Sequence, residues 1–194
     1  MVGRDILLGS AIGFFSVLLG HLRVASVIWF TGRGGLPDLM DGWQFGLAGP
    51  SAFGQMFINQ VSASIVTAFM IVFLLLFLSL LLRRDWAGIA VGTLILIALF
   101  VAPAIGREHW LALLAVACSN VLLVICAMRF GPLALTTALI VVHVWVFFPI
   151  TTNLTAWYAS SFVLVTAILL AIATYSFYVS LGGQKVFSGK LLEE

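Results

Sequence analysis

A chain of 194 residues that is 63% hydrophobic and 8% charged is built to fold mostly in lipid, and its length leaves no room for a further soluble domain. Its net charge of +2 comes from nine basic residues set against seven acidic ones. The basic residues are dispersed over loop positions, which excludes a nucleic-acid surface.

Six apolar stretches follow one another, each reaching the ~20 residues that a helical membrane span needs. The first covers about 6–30 and follows Arg4 and Asp5. It runs on to Trp29 and Phe30, too long for a cleaved signal, so it is expected to be retained as a helix. A glycine-rich stretch with Pro37, Asp38, Asp41 and Pro50 comes next. This first outer loop, about 31–56, is the only sizeable one, and its Gly42-Trp43-Gln44-Phe45-Gly46-Leu47 run fits a segment lying in the membrane interface. The second span, about 57–82, stops at Arg83-Arg84-Asp85. Spans three to six cover about 86–105, 109–128, 131–150 and 155–181. Short connections make consecutive helices antiparallel neighbours. The expected fold is therefore an all-α integral membrane protein, one polytopic domain over 1–194 with a bundle of six transmembrane helices.

Counting Lys and Arg orients the bundle. With the N-terminus inside, Arg4, Arg83, Arg84, Arg129, Lys185 and Lys190 are cytoplasmic, against Arg23, Arg33 and Arg107 outside. Both termini are expected in the cytoplasm of a bacterial inner membrane. Trp29, Trp43, Trp86, Trp110 and Trp157 fall near predicted membrane edges, as amphipathic rings prefer. Trp145 lies deeper. Cys118 and Cys126 share one span and are about 12 Å apart along it, so they read as buried free thiols.

Helix association in lipid depends on close packing. Gly9-x-x-x-Gly13, continued by Ser16 and Gly20, forms a small-residue face on the first helix; Gly88-x-x-x-Gly92 forms one on the third. Ala167-x-x-x-Ala171 with Thr174 forms one on the sixth. The partners are expected mainly within the chain.

Ionisable groups within a membrane are costly and therefore candidates for function. His143, in Val141-Val142-His143-Val144-Trp145, is the deepest, and a neutral imidazole there suits a haem iron or a chlorophyll magnesium as axial ligand. The structural alternative is an interhelical hydrogen bond, to Asn120 or Thr136, and it is favoured because no second histidine lies at similar depth. His21 is a weaker axial candidate near the outer end of the first helix, where Arg23 can snorkel to the headgroups. Arg107-Glu108-His109 reads as a solvated turn. No acidic residue lies within any span to carry coupled transport, and Pro103 and Pro149 sit near helix ends. No H-E-x-x-H, G-x-S-x-G, P-loop or C-x-x-C motif occurs. Asn153-Leu154-Thr155 matches a glycosylation acceptor by three residues alone.

Arg129-Phe130-Gly131, Phe148-Pro149-Ile150-Thr151, Ala156-Trp157-Tyr158-Ala159 and the run from Tyr175 to Phe187 form an ordered series. Together with the Arg4-Asp5-Ile6-Leu7-Leu8-Gly9 start and the Leu82-Arg83-Arg84-Asp85-Trp86 turn, it resembles the polytopic membrane region that follows the catalytic domain in bacterial, particularly acidobacterial, serine/threonine protein kinases. The kinase loops themselves are missing: no V-A-I-K, H-R-D or D-F-G occurs. The resemblance implies an anchor or sensor module without kinase chemistry. The expected function is a non-catalytic accessory or scaffolding subunit of a larger bacterial membrane complex, in contact with lipid and other membrane subunits. The alternatives are a chlorophyll- or haem-binding subunit of a photosynthetic or respiratory complex, and a small transporter or sensor.

Overall fold

The computed structural model describes residues 2–31, 50–106, 108–148, 155 and 159–180, and every regular element among them is helical. In chain order these are α1 (Val2–Thr31), α2 (Pro50–Leu82), α3 (Asp85–Val101), a single 3-10 turn (Ala102–Ala104), α4 (Trp110–Phe147) and α5 (Ala159–Ser180). All five α-helices are long and apolar enough to cross a membrane. Large side chains such as Phe69, Phe73, Leu76, Leu80, Leu94, Leu99 and Leu170 point outward. A water-soluble monomer rarely exposes so much apolar surface, whereas lipid solvates it without cost.

Local chemistry sets the ends of these helices. Arg83 adopts a left-handed conformation (φ 53) and its N–H donates to the Leu80 carbonyl at 3.3 Å, which stops α2. Arg84 is extended (φ −147, ψ 117), and α3 starts at the next residue. Pro103 heads the 3-10 turn that closes α3. His109 caps α4, its side chain accepting from the Leu111 N–H at 3.4 Å.

Helix α4 is not straight. Gly131 has φ 86 and ψ −178, outside helical geometry, and Pro132 follows it. Proline suits the first turn of a new helix, where its missing N–H has no partner to lose. Two contacts show how far the chain turns. Glu108, just before α4, reaches Arg23 of α1, and Trp145, near its end, reaches His21 of the same helix. Along a straight helix residues 108 and 145 would be about 55 Å apart. Helix α4 therefore consists of two antiparallel limbs, with Leu123, Val124 and Cys126 of the first packed among Ala134, Leu135, Ala138 and Leu139 of the second.

The second limb is the centre of the bundle; Ala134, Leu135, Ala138, Leu139 and Val144 are all buried. Helix α1 runs parallel to it, and a methyl group at Gly9 or Gly13 would collide with the backbone of Ala134 or Ala138 respectively. Helix α2 packs on another side through Ala68, Ile71 and Leu75, and α3 folds back on α2 so that Gly88 meets Ser79 and Gly92 meets Leu75. Helix α5 lies along α1, with Gly3 against Ser176 and Ser180. The start of α1 and the end of α5 thus share one end of the bundle, here the near end. The turns at Arg83 and Gly131 lie there too. The far end carries His109, Phe148 and the start of α2.

The structure corrects several expectations. Helix α1 begins at Val2 and α2 at Pro50, so residues 50–56 are helical and belong to a span-length helix, not to the outer loop. The Gly42–Leu47 run, Asn153 and the basic residues Arg33, Arg107, Lys185 and Lys190 lie outside the described residues. A methyl group at Gly20 would touch nothing within 4 Å, so this glycine is not at a packing contact. Ala167, Ala171 and Thr174 are exposed. Cys126 is buried as a free thiol, but Cys118 is exposed.

Candidate functional site

Lipid offers no hydrogen bonds, so each inward polar group needs a protein partner. Most find one a helical turn back on their own helix. Thr93 donates to the Ile89 carbonyl, Asn120 to Val116, Thr136 to Pro132, Thr137 to Leu133 and Ser176 to Ile172, all between 2.7 and 2.9 Å. Asn120 and Thr136 are thereby satisfied locally, and neither is the partner of His143.

That partner is Ser64 on α2, whose Oγ lies 2.9 Å from His143 Nδ1. The Ser64 hydroxyl also donates to the Gln60 carbonyl at 2.7 Å. A hydroxyl has one proton, so it must accept from His143, whose Nδ1 is the protonated nitrogen. Nε2 then carries the imidazole's lone pair. The arrangement ties α2 to the second limb of α4 at a buried serine.

Two residues further on, about 200° around the helix, Trp145 faces the opposite way. Its indole N–H donates to His21 Nε2 at 3.1 Å, and its ring stands edge-on to Phe14 of α1 and Phe162 of α5. His21 Nε2 is therefore unprotonated and already occupied. The two histidines lie on opposite sides of α4, so the fold does not bring them together as a pair of axial ligands.

Nearer the far end, Arg23 of α1 and Glu108 of the α3–α4 connection form a two-pronged ion pair. Arg23 Nε donates to Glu108 Oε2 at 2.7 Å, and a terminal guanidinium nitrogen donates to Oε1. The side chains are 39% and 17% exposed, so the pair is only partly solvated. Two turns further along α1, Phe30 stacks flat on the His109 ring with centroids 4.0 Å apart. Arg23 is held by protein instead of snorkelling, and Glu108 and His109 form a clip instead of a free turn. The two residues are 85 positions apart, and no local pattern signals such a pairing. Ser64 was likewise invisible as a histidine partner, because a serine in an apolar helix normally bonds its own backbone.

Among the described residues no three His, Cys, Asp or Glu side chains converge as a metal site. Comparison with known proteins returned no matching family model, no similar curated protein and no similar solved structure.

Proposed function

We propose that this chain is a non-catalytic, membrane-embedded accessory or anchoring module of a larger bacterial membrane assembly, crossing the bilayer six times with both ends in the cytoplasm. The observation that carries this reading is how its costly polar side chains are used. Arg23–Glu108, His143–Ser64 and Trp145–His21 each fasten one helical segment to another, which is a structural use and not an arrangement around a shared substrate. The resemblance to the membrane region of kinases supports the same role.

Six crossings follow if each limb of α4 spans once, since a straight 37-residue stretch is far longer than the ~30 Å hydrocarbon layer. Arg4, Arg83, Arg84 and Arg129 belong to the near end, and the positive-inside bias puts that end in the cytoplasm.

Native mass spectrometry of the protein extracted from its source membrane in mild detergent tests the role. A stoichiometric co-purifying subunit is expected, and a bare 20.9 kDa monomer overturns it. One observation favours a second reading, a haem- or chlorophyll-holding subunit: His143 Nε2 keeps its lone pair when Nδ1 is fixed by Ser64, much as a ligating imidazole donates its other ring N–H to a fixed oxygen. His21 falls outside that reading because Trp145 occupies it. A visible absorption band lost in His143→Leu and retained in His21→Leu marks the second reading.

A further inference from the structure

Among the described residues the two ends of the bundle handle positive charge differently. At the far end Arg23 is neutralised by Glu108. At the near end Arg4, Arg83, Arg84 and Arg129 are all exposed. Arg4 lies in the first turn of α1, Arg83 and Arg84 form the α2–α3 turn, and Arg129 lies two residues before the break at Gly131, so all four belong to this end. Among the described residues the carboxylates at that end are Asp5, half-buried, and Asp85, exposed. Among the described residues no ion pair joins either of them to these arginines.

The α2–α3 turn supplies two of these four arginines. Arg83 sits at φ 53, a left-handed conformation that favours glycine and strains an L-residue. A glycine would make the same turn without that strain, yet an arginine occupies the position, with a second beside it. Trp86 follows at 68% exposure, and Leu80, Leu81 and Leu82 are exposed on the other side of the turn. Two adjacent forked cations, an amphipathic ring and an apolar flank match a phospholipid from phosphate to acyl chain.

We propose that the Arg83–Arg84 turn with Trp86 is a headgroup site for an anionic phospholipid, the guanidinium groups holding its phosphate diester and the indole lying at the glycerol level. The inference rests on the near end facing an anionic leaflet, and it is independent of whether the chain serves a larger complex.

Lipid retention is measured by native mass spectrometry of the full chain in detergent, titrated with phosphatidylglycerol and with phosphatidylcholine. Retention of phosphatidylglycerol well above phosphatidylcholine is expected. Each arginine near a charged surface is worth about fivefold in affinity, so Arg83→Gly with Arg84→Gln lowers phosphatidylglycerol affinity by about twenty-five-fold. Arg83→Gly alone relieves the backbone, so it keeps the fold and is expected to lose about fivefold. Equal retention of the two lipids by the unmodified chain overturns the site, as does an unchanged affinity in Arg83→Gly. Lipid selectivity without a co-purifying subunit would sink the accessory reading and leave this one standing.

Discussion

Two faces of small residues with the same four-residue spacing meet opposite surroundings. Gly9 and Gly13 of α1 press on the backbone of α4, while Ala167 and Ala171 of α5 face outward. The difference lies in what stands opposite. Helix α4 presents Ala134 and Ala138, which repeat the same spacing in a parallel helix, so two flat faces meet in register. Close approach in lipid therefore takes small residues on both helices, and one stripe alone predicts little about its partner. Gly20 makes the same point, since it continues the α1 stripe beyond the matched alanines and a methyl group there would meet nothing within 4 Å.

The comparison breaks most visibly under Gly9→Val. The new side chain would run into the Ala134 backbone, and overpacking there is expected to cost about 3 kcal/mol. Ala167→Val, at the exposed stripe, is expected to stay within about 0.5 kcal/mol of the original. Unfolding in mixed detergent and dodecyl sulfate micelles, followed by helical circular dichroism, measures both; equal losses would dissolve the distinction between the two faces. A smaller effect is expected from Glu108→Ala, which leaves the Arg23 guanidinium unpaired and costs roughly 2 kcal/mol. If the clip matters as a pair, Arg23→Leu combined with Glu108→Ala recovers part of that loss in a double-mutant cycle. The smallest effect belongs to Ser64→Ala, which removes the acceptor of His143 Nδ1–H. Hydrogen bonds between membrane helices average about 0.6 kcal/mol, so a shift of that size is expected in the same assay.

The apolar stretches were legible in the sequence because hydrophobicity over ~20 residues is a strong local signal. So was the punctuation, since Arg83-Arg84, Pro103 and Gly131-Pro132 all mark ends or turns in the structure. The close contacts of Gly9, Gly13, Gly88 and Gly92 followed from their spacing. Their partners did not, although Ala134-x-x-x-Ala138 carries the complementary pattern for α1 and was there to be read. The polar fasteners were less accessible. Arg23 meets Glu108 across 85 residues, His143 meets Ser64 across 79, and His21 meets Trp145 across 124. Such pairs depend on the register between helices, which packing of the whole bundle decides and no single segment encodes.

The break at Gly131 and Pro132 also sets a parity. With it the described chain makes an even number of passes through the bundle, and Gly3 at its start lies against Ser176 and Ser180 at the finish. Without it α4 would continue for its full 38 residues, about 57 Å, and deliver α5 upside down. The number of passes would become odd, Gly3 would lose its neighbours, and whatever follows Ser180 would emerge on the opposite side. One dipeptide determines that the two ends of the bundle's thread meet.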